Sequence, residues 1–327
     1  TLVLDPEAGS PAGRVSHHHL IADYSDAEAL AELARTCDAV TTEFENVPAD
    51  ALAVLAQHLP VSPRAQAVAV AQDRAAEKAH FVTCGVAVAP HAVIDSDAAL
   101  DAVPDELLPG ILKTARLGYD GKGQVRVDSR EVLCAAWTQL GRVTCVLEKR
   151  LPLAAECSVI VARGHDGAMV HLPVQHNLHR DGILAVTEVW PGKVDAALAR
   201  DVVQAAQAVA EGLGYVGVLC VEFFILNDGR WVVNEMAPRP HNSGHYSIDA
   251  CDVDQFELQV RAMTGLPLVA PRQHSAALML NLLGDLWFAP GSDAQREPPW
   301  AQVLALPGTH LHLYGKTEAR RARKMGH

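Results

Sequence analysis

Two glutamates stand on opposite arms of one hairpin in VEFFILNDGRWVVNE, Val221 to Glu235. Runs rich in Val, Ile, Phe and Trp flank the turn signal Asn-Asp-Gly, so the stretch reads as two antiparallel strands. A two-residue Asp228-Gly229 loop pairs Asn227 with Arg230, and a four-residue loop gives the same register. That register sets Glu222 opposite Glu235, on a face shared with Phe224, Leu226, Trp231 and Val233. Like charges so placed are destabilising, and two partly desolvated carboxylates must share a proton or a cation. A divalent ion with oxygen ligands resolves the conflict. Mg2+ in particular is held by one or two carboxylates plus phosphate oxygens of a substrate. The plain alternative is a solvated hairpin whose acids diverge, and the apolar neighbours weigh against it.

The next residues, NEMAPRPHNSGH (Asn234 to His245), are denser in chemistry. Two prolines hold the segment extended and exclude a helix, which presents Arg239, His241, Asn242, Ser243 and His245 beside Glu235. Arginine suits bidentate capture of a carboxylate or bicarbonate. Upstream, GYDGKGQ (Gly118 to Gln124) joins the strand-like runs GILKTAR and QVRVD. Such a loop folds backbone amides over an anion and Lys122 adds charge, although a plain surface turn fits equally well. It is neither G-x-G-x-x-G nor a Walker A loop, and GKT at 315–317 has His310 where Walker A needs glycine. A nucleotide site here belongs to another class.

The surrounding elements must position these groups. At 327 residues the chain exceeds one ordinary core and suggests two or three domains. A net charge of −12 argues against general nucleic-acid binding. No run approaches a bilayer span and no signal sequence opens the chain. The seven scattered cysteines lack a C-x-x-C pair, which suggests reduced thiols in a cytoplasmic setting. The start alternates LVLD, a helix at SDAEALAELARTC with a Ser25–Glu28 capping box, a strand at DAVTTEF and a helix at PADALAVLAQHL. This is a βαβα pattern with a parallel sheet. The strand and glycine loop that usually open such a domain do not precede Thr1, so a missing N-terminal segment is expected. Ala-rich helices follow at 62–84, then a small module to 136, strands from 143 to 236 broken by a helix at 195–212, and a helix at 253–264. The end is strands plus the basic tail GKTEARRARKMGH, which reads either as a solvated helix end or as a phosphate-binding patch.

The glycine-rich hairpin loop, E-x-x-x-x-x-x-x-E at Glu148 and Glu156, and the two-glutamate hairpin together resemble the ATP-grasp superfamily. With TTEFENV, HNLHRDGI and NEMAPRPHNSGH, the chain is similar over nearly its whole length to the family of 5-(carboxyamino)imidazole ribonucleotide synthases of purine biosynthesis. The resemblance implies an α/β fold (α+β in the core). Its parts are a pre-ATP-grasp βαβ domain at 1–72, a small lobe at 73–142, a large lobe with the metal site at 143–270 and a C-terminal domain at 271–327. It implies a cytoplasmic homodimer using ATP, Mg2+, bicarbonate and aminoimidazole ribonucleotide, with no nucleic-acid or membrane partner. Arg74 and Lys113 would approach the nucleotide, and Gly118, Tyr119, Asp120, Gly121, Lys122, Gly123 and Gln124 would close over its phosphates. Glu148, Lys149, Arg150 and Leu151 would form the adenine hinge, Glu156 would hold the ribose, and His179 would lie on the nucleotide side. Glu222 and Glu235 match the metal ligands; Asn234 follows the family's Asn-Glu pair, although strand alternation points it away from Glu235. Arg239 and His241, with Lys113, are the candidates for the chemistry. Lys316, Arg323 and Lys324 would bind the ribonucleotide phosphate, with Tyr119, Asn242, Ser243 and Glu43 (or Glu45) near the rest of that substrate. Either of the last two acids could equally be solvated. The competing expectations are another ATP-grasp ligase, such as a formate-using glycinamide ribonucleotide transformylase or a biotin carboxylase-like protein, and an ATP-binding scaffold without catalysis. The segment PRPHNSGH argues against the other ligases.

Overall fold

Short apolar runs and capped helices alternate from the first residues. The computed structural model describes residues 1–118, 123–289, 291–292 and 294–327. In it β1 (Leu2–Leu4) runs parallel to β2 (His18–Leu20), with α1 (Pro11–Val15) between them. The next helix, α2 (Ala27–Thr36), is capped by Asp26, whose carboxylate accepts from the Ala29 amide at 2.9 Å. Ser25 turns back to Asp23 instead, so the expected capping box does not form. The expected strand at DAVTTEF shrinks to a parallel bridge between Val40 and Val61. There the Thr42 hydroxyl donates to the Phe44 carbonyl at 2.8 Å, a local bond that competes with strand pairing. Helices α3 (Ala49–Leu55), α4 (Ala65–Ala71) and α5 (Arg74–Thr83) complete this part. Leu30, Leu33, Leu52, Leu55 and Val68 form its core.

A second sheet combines β3 (His91–Ile94), β4 (Gly110–Thr114), β5 (Gln124–Val127) and β6 (Cys145–Lys149) in the order β3-β6-β4-β5. Helix α6 (Asp97–Asp101) follows β3, and α7 (Arg130–Gln139) packs Leu133 and Trp137 against Leu112 and Ile94. Because β6 pairs with both β3 and β4, Cys145–Lys149 falls in the small-lobe sheet. The sequence reading had placed it with the large lobe. Between β4 and β5, Gly123 has φ 70° and its carbonyl accepts from the Thr114 amide at 2.9 Å. A Cβ there would meet Thr114 Oγ1 at 2.7 Å, so only glycine fits. Residues 119–122, including Tyr119, Asp120, Gly121 and Lys122, lie outside the described residues.

The large sheet is built from β7 (Leu153–Arg163), β8 (Met169–His171), β9 (Gln175–Arg180), β10 (Ile183–Val189), β11 (Gly217–Leu226) and β12 (Trp231–Ala237). Helix α8 (Ala196–Gly212) covers one face, burying Val202, Ala206 and Val209 against Val159, Val221 and Phe223. The short α9 (Ser247–Ala250) and α10 (Gln255–Thr264) cover the other, with Leu258 on Ile160 and Val218. Then β13 (Ala277–Leu280) adds to β10, carrying the large sheet past residue 271. The end of the chain comprises β14 (Leu282–Leu283), α11 (Trp300–Leu304) and β15 (Lys324–Gly326), with β15 antiparallel to β14. The basic tail is thus irregular chain that ends in a short strand, rather than a helix end.

The opening hairpin differs from its simplest reading twice. Its loop has three residues, because the Leu226 amide donates to the Arg230 carbonyl and Gly229, at φ 84°, donates back to Leu226. Leu226, not Asn227, therefore faces Arg230, and Phe223 faces Val233. A register shift between Val221 and Phe223 then restores Val221 opposite Met236. Glu222 consequently faces two residues, Asn234 and Glu235, which defines a β-bulge. The two one-residue offsets cancel at the glutamates. They do not cancel nearer the tip, where Val233 and Trp231 join Phe223 in the core beneath α8 and leave the glutamate face.

Candidate active site

A cleft of about 510 Å³ opens where α5, the four-stranded sheet, the large sheet and β15 meet. Glu222 and Phe224 of β11 and Asn234 and Glu235 of β12 form its floor. The bulge turns Asn234 into the cleft beside Glu235, against the strand-alternation expectation. Helix α5 holds this bulge from below. Lys78 Nζ donates to the Asn234 carbonyl at 2.8 Å, and Glu77 accepts from the Met236 amide at 2.7 Å. Both side chains are buried. These are the main-chain groups that an interrupted ladder leaves for other partners.

The cations of the cleft are arranged around acids. Arg74 Nη1 lies 3.2 Å from Glu235 Oε2, while Lys113 and Lys78 lie 3.1 and 3.5 Å from the two oxygens of Glu148. Burial by itself would raise the Glu148 pKa, but Lys113, Lys78 and Arg74 outweigh it and hold the carboxyl at about 2. Glu235 is shifted the same way: burial opposes ionisation, and Arg74 and Lys113 overcome it. Glu222 moves in the opposite direction, raised first by burial and then by the charge of Glu235. Glu77 is pushed up to about 8 by burial against the pull of Arg74 and Lys78. Environment thus separates the facing pair, with one acid ionised beside arginine and the other disposed to keep its proton.

Further along the floor, His241 Nε2 lies 3.4 Å from Glu222 Oε1 and its Nδ1 lies 2.9 Å from the Ser243 hydroxyl. Burial, reinforced by Arg239 and Lys324, keeps this imidazole neutral far below the usual histidine range. Gln255 brackets its backbone, accepting from His241 N and donating to His241 O at 2.8 Å each. A buried polar chain backs the ring. Thr187 donates to Asn177, Asn177 to Ser158, and Ser158 to Ser243, at 2.9, 2.8 and 2.8 Å. Arg239 is held by Glu45, with Nε and Nη2 at 3.0 and 2.6 Å from one carboxylate oxygen. His179 Nδ1 sits 2.8 Å from Glu156 Oε2. That carboxylate raises the His179 pKa despite burial.

Most residues singled out by sequence converge here. Arg74, Lys113, Gly118, Gly123, Gln124, Glu148, Lys149, Arg150, Leu151, Glu156, His179, Arg239, Asn242 and Lys324 all line this cleft. Ser243 does not: it is fully buried, its hydroxyl spent on Ser158 and His241, so it supports the histidine and cannot touch a substrate. Glu43, Lys316 and Arg323 are not among the lining residues, whereas Glu45 is. Lys316 donates to the Lys324 carbonyl at 2.7 Å and Arg323 to the Glu318 carbonyl at 3.0 Å. Glu148 carries its hinge position on a carboxylate already committed to two lysines. Glu77, Lys78, Ser158, Asn177, Thr187 and Gln255 escaped sequence reasoning. A signal existed for the first two: Arg74, Glu77, Lys78 and Phe81 share one helical face, so charges occupy core-facing positions.

The donor set can be tested against a cation. Asn234 Oδ1 is buried and has no hydrogen-bond partner among the described residues, and the same holds for both amide atoms of Asn242. An orphaned carbonyl oxygen beside Glu222 and Glu235 makes an oxygen-only set, which fits a hard divalent ion such as Mg2+.

Comparison with known proteins agrees with this geometry. Three family models match: the ribonucleotide synthetase preATP-grasp domain over residues 1–72, the ATP-grasp domain over 79–256, and the phosphoribosylaminoimidazole carboxylase C-terminal domain over 277–327. The chain is 42% identical to N5-carboxyaminoimidazole ribonucleotide synthase of Brucella melitensis, covering 100% of this chain and 88% of that protein. Identity to the Bacillus subtilis enzyme of the same name is 38%, over 99% and 83%. Among solved structures, N5-carboxyaminoimidazole synthetase from Staphylococcus aureus complexed with ADP superposes with a TM-score of 0.88 at 36% identity, covering 99% of this chain and 84% of that one. The Aspergillus clavatus synthase, in complex with ADP and 5-aminoimidazole ribonucleotide, gives 0.87 at 30% identity, over 99% and 85%. With its full length matched in sequence and fold, and its cleft built as described, the chain belongs to the N5-carboxyaminoimidazole ribonucleotide synthase family of ATP-grasp enzymes.

Proposed function

We propose that this enzyme carboxylates the exocyclic amine of 5-aminoimidazole ribonucleotide with bicarbonate, driven by ATP, and releases ADP and phosphate. One observation carries the reading. A single cleft gathers Arg74 and Lys113, the orphaned Asn234 oxygen with two unequal carboxylates, and Arg239 with Lys324. Arg74, Lys113 and the residues Gly118, Gly123 and Gln124 face the nucleotide phosphates, residues 149–151 the adenine, and Glu156 with His179 the ribose side. Glu222, Glu235 and Asn234 Oδ1 would hold Mg2+, which on binding supplies positive charge for the phosphate oxygens.

Bicarbonate oxygen attacks the γ-phosphorus, the bond to the ADP oxygen breaks, and carboxyphosphate forms. The amine then takes the carboxyl carbon, directly or as released carbon dioxide, loses a proton, and phosphate leaves. Catalysis in such a transfer is mostly positioning and electrostatics. Arg239, oriented by Glu45, presents a planar donor fork suited to bicarbonate. His241, neutral and fixed by Ser243 and Gln255, is suited to donate one hydrogen bond without adding charge. Lys324, with Lys316 and Arg323 behind it, is placed for the ribonucleotide phosphate. We also place the enzyme in the cytoplasm, consistent with seven free thiols, and as a homodimer, which rests on family resemblance alone.

The test is an omission series. ADP release at full rate should require both bicarbonate and the ribonucleotide, with carboxylated product in step. Full ADP release without the ribonucleotide and without product would overturn the proposal.

A further inference from the structure

A buried thiol that the proposed reaction does not use lies beneath the floor of the cleft. Cys220 and Glu222 alternate along β11, so their side chains leave the same face of the sheet. His241 comes onto that face from the extended segment after β12. Cys220 Sγ, a Glu222 carboxylate oxygen and an imidazole nitrogen of His241 all lie within 4.8 Å of one another. Among the described residues no other trio of His, Cys, Asp and Glu donor atoms gathers in this way. The Nε2 to Oε1 separation within it is 3.4 Å.

We infer that Cys220, Glu222 and His241 form a site for a borderline-soft divalent cation of the Zn2+ or Co2+ type, distinct in chemistry from the oxygen-only set above. Thiolate, imidazole and carboxylate together suit Zn2+ and Co2+, whereas Mg2+ does not take sulfur. Zinc–sulfur and zinc–nitrogen bonds of about 2.3 and 2.0 Å require the three donors to draw in by roughly 1 Å. The outer partner of the histidine is in place: Ser243 Oγ lies 2.9 Å from His241 Nδ1 and 4.0 Å from Cys220 Sγ. An imidazole that ligates through one nitrogen is ordinarily oriented through the other in this manner. On binding, the Cys220 thiol proton passes to solvent and the imidazole proton moves to Nδ1, where the Ser243 hydroxyl accepts it. Cys220 is fully buried, so the ion enters past Glu222 and His241, and a cleft water or a phosphate oxygen completes its shell. Glu222 belongs to both donor sets, and two divalent ions drawn to one carboxylate repel each other. Zn2+ therefore competes with Mg2+, a consequence that rests on the proposed function, whereas the binding itself does not.

The experiment uses the full chain, free of nucleotide, titrated with Co2+ and followed by absorption. A thiolate-to-cobalt charge-transfer band is expected in the wild type and should vanish in Cys220→Ala. His241→Gln should weaken Co2+ binding about tenfold or more. In turnover assays with Mg2+ and ATP, Zn2+ should inhibit the wild type at least about tenfold more strongly than Cys220→Ala, whose Mg2+-supported turnover is retained. An undiminished charge-transfer band in a folded Cys220→Ala protein would overturn the site. A band that is lost as expected, with Zn2+ inhibition unchanged, would retain the site and overturn only the competition for Glu222.

Discussion

Glu222 and Glu235 were legible because the Asn-Asp-Gly turn and its flanking apolar runs define a hairpin, and a hairpin defines who faces whom. The direction of Asn234 was misread for the same reason: alternation assumes an unbroken ladder, and the bulge adds a residue that no local propensity announces. Glu235 is partly open to the cleft and its bridge to Arg74 is correspondingly weak, worth up to about 1 kcal/mol. Glu235→Gln should therefore shift thermal unfolding little while raising the Mg2+ concentration for half-maximal turnover about tenfold or more. Magnesium titration and melting curves on one preparation decide it. Loss of folding with an unaltered magnesium requirement would return the residue to a structural role.

Among the elements, α5 looks unremarkable in sequence, a short Ala-rich helix with an Asp73 cap. Its inward stripe is nonetheless charged, and in the folded chain that stripe bonds the backbone on either side of Glu235. A helix face can be read from periodicity, but its partner strand lies some 150 residues downstream, and only the tertiary pairing supplies it. Lys78→Met leaves the Asn234 carbonyl without its donor and Glu148 without one of its two ion-pair partners in a buried setting. The expected cost is about 3 kcal/mol of stability, measured as a fall in the denaturant midpoint. The folded fraction should also need more Mg2+-ATP, since the bulge carrying Glu235 and Asn234 is loosened. A variant that loses stability but keeps its Mg2+-ATP dependence would separate α5 from the metal floor.

At the scale of the whole molecule, the C-terminal part is joined to the large lobe through aromatic and histidine contacts. His245 stacks on Phe256 and on His327, and His327 on His312, with ring centroids 5.6, 4.8 and 4.5 Å apart. His312 also reaches Asp249 at 2.7 Å. Burial, then neighbouring positive groups, depresses His245 to about 3 and His327 to about 4. An unfolded histidine titrates near ~6.5, so below that pH the unfolded chain binds more protons than the folded one. The stability these rings contribute is complete above about pH 6.5 and falls as the pH drops toward 4. Acidification from neutrality should lower the amide protection factors, taken against the intrinsic exchange rate at each pH, at residues 311–314 and at β15 before those of β7 or β11, and His245→Gln should flatten that dependence. Uniform loosening across the chain would contradict the docking role.

Sequence by itself determined the chemistry on offer and the family: acids on a hairpin, an extended Arg-His-Asn segment, a glycine-rich loop and a basic tail are local patterns with local physical causes. It also excluded the Walker and dinucleotide classes, because each demands glycines at fixed spacing. What tertiary structure alone decided were the relations that cross long stretches of chain. They include the register beyond the bulge, the capture of β6 by the small-lobe sheet, the pairing of Glu45 with Arg239, and the approach of Arg74 and Lys113 that sets Glu235 apart from Glu222 in acidity. Each depends on which distant surface covers a residue, and neither propensity nor periodicity encodes that covering.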